Sequence, residues 1–282
     1  MPILMVMFDE PGVTAVILRT LLAGTRFDRV NSLPATGSTN ADVAALARAG
    51  GPEGFVLIAD EQTSGRGRLD RTWASPPGAS LAMSLLLRPP ASSGGAWGWL
   101  SLIAGMAVTR GLRELSGAGE RITLKWPNDV LVDGLKVCGI LSERVETPDG
   151  PAAIVGIGIN LRLEADELPV PHATSLALAG LPSERDAVTG AVLRAFDEVY
   201  TDLLSSGPPV RAYSDMCASI GAELTVIVRA DEHVHGVGAG IDPDGRLVVD
   251  AGGILRAFAV GDVVHARLDE ASRRDASLDT SI

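Results

Sequence analysis

Two long helical patterns, at residues 96 to 115 and 183 to 205, are combined with a series of short apolar runs. The first pattern is apolar on nearly all sides and therefore predicts a buried helix. Asp133 and Gly134 form a dipeptide typical of a β-hairpin turn. Runs of strand length occupy residues 55–60, 80–87, 121–126, 129–132, 136–146 and 152–163. The chain is therefore expected to combine strands with long helices.

The segments that flank this region differ from it in character. Residues 1–30 form a weakly amphipathic lead-in, and a helix is expected soon after Gly37, where Thr39 and Asp42 resemble a capping box. After Gly221 the pattern changes to short strands separated by turns, which predicts a small β-barrel. We expect four parts: the lead-in, a catalytic domain at 31–218, a barrel at 219–269 and a disordered polar tail at 270–282.

Composition excludes several classes of protein. The chain has 282 residues, a net charge of −11 and 46% hydrophobic residues, which argues against a general nucleic-acid or membrane binder. No apolar run is long enough to span a membrane, and the first residues lack the features of a signal peptide. Cys138 and Cys217 are the only cysteines, so a disulfide framework is excluded and a cytoplasmic location is expected.

The common phosphate-binding and catalytic motifs are missing. Leu161 stands where a dinucleotide fingerprint needs its third glycine, and no glycine precedes a lysine directly as in a Walker A loop. The sequence has no serine nucleophile elbow and no paired cysteine motif for zinc. His233 and His235 would share a strand face, but they are interpreted as surface residues.

The stretch GRGRLDRTW at residues 65–73 concentrates arginine in an acidic chain. Glycines at 65 and 67 allow the backbone to approach a ligand closely, and Arg66 and Arg68 carry planar groups that suit carboxylate or phosphate. Trp73 offers a flat face that can stack on a base. The stretch predicts a loop that orders around a nucleotide; the alternative is a solvated arginine loop that the tryptophan anchors to the core.

The stretch KWPND at residues 125–129 is the second unusual segment. Lys125 and Lys136 are the only lysines in the chain. Asn128 and Asp129 offer oxygens to a polar ligand or Mg²⁺, and Lys136 is placed to face Asp129 across the hairpin. This arrangement predicts a site for a metal-bound polyphosphate; the alternative is a bare turn with a coincident lysine.

The order of these motifs, GSTN, EQTSGRGRLDRTW, KWPNDV, DGLKVCGIL and VGIGIN, resembles the biotin protein ligases that lack an N-terminal DNA-binding domain, over roughly residues 28–265. The resemblance implies an α+β fold, with a mixed sheet backed by helices (class II synthetase-like) and a small SH3-like C-terminal barrel. It also implies a two-step reaction. Biotin and Mg-ATP give biotinyl-5'-AMP, and a lysine of the biotin carboxyl carrier domain of an acyl-CoA carboxylase then receives the biotin.

The resemblance also implies roles for individual residues. Lys136, Arg68 and Asp129 would be catalytic, and Asp129 would help to hold Mg²⁺. The biotin-binding residues would be Ser38, Thr39, Asn40, Gln62, Gly65, Arg66 and Lys136. The residues that bind ATP or the adenylate would be Arg66, Arg68, Trp73, Lys136 and Asn160.

The sequence departs from the family pattern at two places, and three other functions remain open. Leu69-Asp70 stands where the family often has glycine, and Cys138 stands where a small alanine is common. The alternatives are a lipoate or octanoate ligase, a biotin-responsive DNA-binding regulator, and a nucleotide-binding module without catalysis. The short lead-in and the negative net charge argue against the regulator.

Overall fold

The computed structural model describes residues 13–68, 71–73, 76–90, 96–229, 231–259 and 261–265. The first part of the predicted lead-in, the Leu69-Asp70 departure and the predicted tail lie outside these residues. No described helix is long and apolar enough to cross a membrane.

A seven-stranded mixed sheet forms the larger part of the molecule. Its order is β1-β2-β3-β7-β6-β5-β4, in which only the β1–β2 pair is parallel. The strands are β1 (Arg29–Leu33), β2 (Phe55–Ala59), β3 (Ser80–Leu87), β4 (Ile122–Lys125), β5 (Asp129–Val132), β6 (Leu135–Val145) and β7 (Ala152–Asn160). Each strand run predicted between residues 55 and 163 is confirmed, with ends that differ by up to three residues.

The helices cover the two faces of this sheet unequally. They are α1 (Val13–Leu21), α2 (Thr39–Arg48), α3 (Ala96–Ser116), α4 (Arg185–Ser206) and α5 (Val210–Ser214). Successive strand side chains point to opposite faces, so Val56 and Ile58 join the core under α3 and α4, whereas Leu57 joins a smaller core under α2. The long helices α3 and α4 also pack on each other. The mixed sheet backed by helices is thus confirmed.

The start of α2 differs from the sequence prediction. The N-cap is Ser38, whose side chain accepts a hydrogen bond from the backbone N–H of Ala41, and Thr39 is the first helical residue. The predicted capping box was therefore placed one residue too late. As a result Thr39 is free to use its hydroxyl outside the helix.

The short helix α2 leaves the far part of its sheet face uncovered. The floor of that region is formed by β6 and β7, where Gly139, Gly156 and Gly158 carry no side chains to fill the space. A Cβ atom on Gly158 would lie 2.4 Å from the indole of Trp73, which rests on the sheet there. The glycines of the GIGIN strand thus create a depression beside the N-terminus of α2.

A five-stranded antiparallel sheet follows, with the order β11-β10-β9-β8-β12. Its strands are β8 (Glu223–Arg229), β9 (Glu232–Ile241), β10 (Leu247–Asp250), β11 (Leu255–Phe258) and β12 (Asp262–His265). This sheet is consistent with the expected SH3-like fold. Two buried tryptophans attach it to the larger part of the molecule. Trp126, which follows β4, donates its indole N–H to the carbonyl of Gly245 (3.0 Å), and Trp99 of α3 donates to that of Pro243 (2.8 Å).

The candidate active site

The N-terminus of α2 and the loop after β2 form the polar end of the depression. Gln62 Oε1 accepts hydrogen bonds from the backbone N–H of Thr39 (2.9 Å) and from its hydroxyl (3.0 Å). Ser38 and Thr39 are both buried. These two hydrogen bonds fix the amide group of Gln62. The polar groups of Ser38, Thr39 and Gln62 can therefore bind a small polar ring with little reorganisation.

The side chain of Asn40 is turned toward the protein framework. Its Nδ2 donates to Glu143 Oε2 (2.6 Å) and to the carbonyl of Leu141 (3.2 Å), and its Oδ1 lies 2.6 Å from the hydroxyl of Ser84. Both amide protons are used within the chain. Asn40 therefore shapes the wall of the site, and its assignment to biotin binding stays a prediction.

The arginine-rich loop forms a narrow hairpin over the depression. The N–H of Trp73 donates to the carbonyl of Gly65 (2.9 Å), and the N–H of Gly67 donates to that of Arg71 (2.7 Å). A Cβ atom on Gly65 would lie 2.4 Å from the carbonyl oxygen of Trp73. Only glycine permits this close crossing of the two arms of the loop.

The indole of Trp73 packs on the glycines of β6 and β7. Cβ atoms at Gly139 and Gly158 would lie 2.8 Å and 2.4 Å from the ring. Its Nε1 is buried and has no hydrogen-bond partner among the described residues. Such a buried, unpaired donor is costly, so a ligand acceptor that reached it would bind favourably. The ammonium of Lys136 lies 5.8 Å from the ring centroid.

Arg68 is held at the junction of the two sheets. Its Nη1 donates to Asn128 Oδ1 (3.0 Å), and its Nη2 donates to the carbonyl of Gly261 (3.3 Å). Burial lowers the pKa of Arg68, and the nearby carboxylates of Asp262 and Asp129 oppose that shift. An arginine stays protonated in spite of such a shift. The result is a partly desolvated cation, which interacts strongly with an anion.

Lys136 and Asp129 face each other across the β5–β6 hairpin, as predicted. Lys136 Nζ lies 2.7 Å from Asp129 Oδ1, and both side chains are largely buried. A bulge between Val130 and Leu131 shifts the register of the hairpin between these two residues. The turn itself is formed by Asp133 and Gly134, both with positive φ, which confirms the predicted hairpin.

A cavity of about 190 Å³ joins these groups. The predicted site residues lie around it, except Gly65: they are Ser38, Thr39, Asn40, Gln62, Arg66, Arg68, Trp73, Asp129, Lys136 and Asn160. Asn160 is buried and donates its amide to the carbonyl of Thr174 (2.9 Å). A second cavity of about 350 Å³, which runs toward β12, shares Asn128, Asp129 and Lys136 with the first.

The protein oxygens at this junction suit a magnesium ion that a nucleotide brings with it. No group of three or more His, Cys, Asp or Glu side chains among the described residues could hold a metal alone. Asp129 supplies one carboxylate, and the oxygen of Asn128 is occupied by Arg68. Mg²⁺ commonly binds one or two carboxylates together with substrate phosphates and water. Asp129 fits that role.

Three residues of the site were missed by the sequence reasoning. Glu143 binds Arg66 and Asn40, Ser84 lies between Thr39 and Asn40, and Asp262 pairs with Arg71. Side chains alternate along a strand, so Glu143 lies on the same face of β6 as Gly139, which is the face of the site. The sequence could therefore have identified Glu143 as a site residue. Asp262 comes from the second sheet, and nothing in the sequence pattern relates it to the loop.

Cys138 lies on β6, and its side chain is fully buried in the hydrophobic core. Burial raises the pKa of its thiol, and the Lys136 ammonium only partly opposes this. Cys138 is therefore a packed small residue in the position where the family commonly has alanine.

Comparisons with known proteins identify the class of protein to which this fold and its glycine-floored pocket belong. Residues 35–160 match the model of the biotin/lipoate A/B protein ligase family. The biotin-acetyl-CoA-carboxylase ligase of Mycobacterium tuberculosis is 37% identical over 249 residues, covering 87% of this chain and 92% of that protein. The bifunctional ligase/repressor BirA of Bacillus subtilis is 34% identical over 79% of this chain and 70% of its own length.

A solved structure shows the same architecture. Biotin protein ligase from Aquifex aeolicus, in complex with biotin and ATP, superposes with a TM-score of 0.71 at 26% identity, covering 85% of this chain and 99% of that one. The chain belongs to the biotin/lipoate A/B protein ligase family.

Proposed function

We propose that this protein is a biotin protein ligase that forms biotinyl-5'-AMP from biotin and ATP and then transfers the biotin to a lysine of a carrier domain. The proposal is based on the residues at the two ends of one cavity. Lys136, Asp129 and Arg68 lie together at one end, and Thr39 and Gln62 form a polar wall at the other. The high identity to a biotin-acetyl-CoA-carboxylase ligase supports the choice of substrate.

The first step brings two anions together. A carboxylate oxygen of biotin attacks the α-phosphorus of ATP, the bond to the bridging oxygen breaks, and pyrophosphate leaves. Lys136 and Arg68 offset the repulsion between the two reactants and stabilise the charge that builds up on the phosphorus oxygens. Magnesium, held by Asp129 and the phosphates, would neutralise part of the triphosphate charge.

The polar end of the cavity favours biotin over lipoate. The ureido ring of biotin has two N–H donors and a carbonyl acceptor, which suit the hydroxyl and amide groups of Ser38, Thr39 and Gln62. The dithiolane ring of lipoate offers no such groups. Burial of the Gln62 amide N–H groups against a dithiolane ring would leave them without partners, at a cost of about 1–3 kcal/mol.

The loop supplies the cover of the site. Because the Trp73 indole rests on Gly139 and Gly158, biotin and ATP bind beside it, under the loop in its closed arrangement. The loop then covers the adenylate and excludes water, which would hydrolyse the mixed anhydride. The adenine is assigned to the region between Trp73 and Asn160.

The second step uses the adjoining cavity. The amine of a carrier lysine approaches through the space beside β12 and attacks the acyl carbon of the adenylate, and AMP leaves. Asp129, at the junction of the two cavities, positions this amine and accepts the proton that it loses. The biotin carboxyl carrier domain of an acyl-CoA carboxylase is the partner, and the cytoplasm is the compartment in which the two meet.

Mass spectrometry of a purified carrier domain tests the proposal. Incubation with the protein, biotin, ATP and Mg²⁺ should add one biotinyl group to one lysine, and a carrier with arginine at that lysine should remain unmodified. Addition of lipoate but not biotin would assign the protein to the other branch of the family. An unmodified carrier in both reactions would contradict the proposal.

A further inference from the structure

Glu143 connects the arginine-rich loop to the framework of the site. Its Oε1 and Oε2 lie 3.2 Å and 3.3 Å from Nη2 of Arg66, and its Oε2 also accepts a hydrogen bond from Nδ2 of Asn40 (2.6 Å). One carboxylate therefore contacts both the loop that covers the cavity and the first turn of α2.

The end of this connection at Asn40 is rigid. Asn40 is buried, its amide also donates to the carbonyl of Leu141 (3.2 Å), and its Oδ1 lies against Ser84 in the core. A Cβ atom on Gly156 would lie 2.3 Å from Asn40 Oδ1, so the amide fills the space that this glycine leaves. Glu143 is thus fixed by a group that has no room to move.

The end at Arg66 is more exposed. The Arg66 side chain is 52% exposed and that of Glu143 is 30% exposed. Arg66 follows Gly65, whose carbonyl accepts the hydrogen bond that closes the loop hairpin at Trp73. The contact with Glu143 therefore restrains the loop at the point where its two arms meet.

We propose that Glu143 is a positioning residue, which holds the loop in its closed arrangement through Arg66 before biotin binds. This inference rests on the proposed function. When only part of a population is competent to bind, the apparent dissociation constant rises by the inverse of that fraction. Loss of the Glu143 contact should thus weaken biotin binding without slowing the chemical step.

The variant Glu143→Gln tests this proposal. Glutamine retains an oxygen for Asn40 but removes the charge opposite Arg66. We expect the KM for biotin to rise by about three- to tenfold, in keeping with a charge-assisted contact at a half-exposed site. The kcat and the KM for ATP should stay within about twofold. The matched control is Glu146→Gln, which removes the same charge just beyond β6, where Glu146 pairs with Arg144 at 2.9 Å.

A double-mutant cycle tests whether Arg66 carries the effect. If Glu143 acts through Arg66, Glu143→Gln in the Arg66→Gln background should raise the KM for biotin by less than about twofold further. A product of two independent increases would overturn the proposal. An unchanged KM in Glu143→Gln would overturn it as well.

Hydrogen exchange in the ligand-free protein separates this inference from the proposed function. The amides of Gly67 and Trp73, which close the hairpin, should exchange about three- to tenfold faster in Glu143→Gln, while those of α2 keep their rates. Equal acceleration in both segments would indicate a general structural role and overturn the proposal, as would no acceleration. If the wild-type protein fails to activate biotin, the proposed function fails, and the exchange rates still decide whether Glu143 restrains the loop.

Discussion

Replacement of Lys136 by methionine should abolish most of the adenylation activity. The change keeps an unbranched side chain as far as Cε and removes the ammonium that lies 2.7 Å from Asp129 and lines the cavity. A unit charge about 4 Å from an opposite charge is worth about 4 kcal/mol at the effective dielectric constant of a partly buried site. Only the part that grows in the transition state affects the rate. We therefore expect a loss of about 10²- to 10³-fold, which corresponds to about 3–4 kcal/mol.

Biotin-dependent exchange of labelled pyrophosphate into ATP measures this loss, because it reports the first step alone. The control is Arg121→Gln, which removes a cation paired with Asp133 at 2.6 Å near the turn of the same hairpin, away from the cavity. That variant should stay within about twofold of the wild type. An exchange rate within threefold of the wild type for a folded Lys136→Met protein would refute the assignment of the phosphate site.

Three further predictions concern stability and reactivity. Gly158→Ala places a methyl group 2.4 Å from the Trp73 indole, so denaturant titration should show a loss of about 1–3 kcal/mol in the free energy of unfolding, whereas Gly240→Ala, with open space around it, should show far less. Cys138 should resist alkylation at pH 8 until the protein unfolds, because it is fully buried; rapid labelling of the native protein would contradict this. Burial, together with the Lys125 ammonium, lowers the pKa of His265 to about 4, below its unfolded value of about 6.5. The free energy of unfolding of the wild type should therefore fall by about 2–3 kcal/mol relative to that of His265→Gln as the pH falls from about 6.5 to 4. Urea titrations of both proteins at the two pH values measure this difference, and an equal pH dependence of the two would contradict the prediction.

The sequence was most informative where local patterns determine the structure. Short apolar runs and turn dipeptides predicted the strands from β2 to β7, and the Asp133-Gly134 turn placed Lys136 opposite Asp129. The start of α2 was misplaced because Ser38 and Thr39 are both good N-cap residues, and only tertiary contacts decide between them. Thr39 instead binds Gln62, which is distant in sequence.

The contacts that join distant segments could not be predicted in this way. The assignments of Arg66 and Asn40 to the ligand stay predictions, and no sequence pattern indicated that both residues also pair with the carboxylate of Glu143. The pairing of Arg71 with Asp262 depends on how the second sheet packs against the first. Such pairings depend on how the strands and sheets are arranged in space, and local sequence patterns do not determine that arrangement.

Pyrophosphate exchange with the wild-type protein and each of two acids tests the central claim most directly. With Mg²⁺ and biotin the protein should incorporate labelled pyrophosphate into ATP, and with lipoate at the same concentration it should not. Exchange that depends on lipoate and not on biotin, or no exchange with either acid, would contradict the account of the site as a biotin-activating centre.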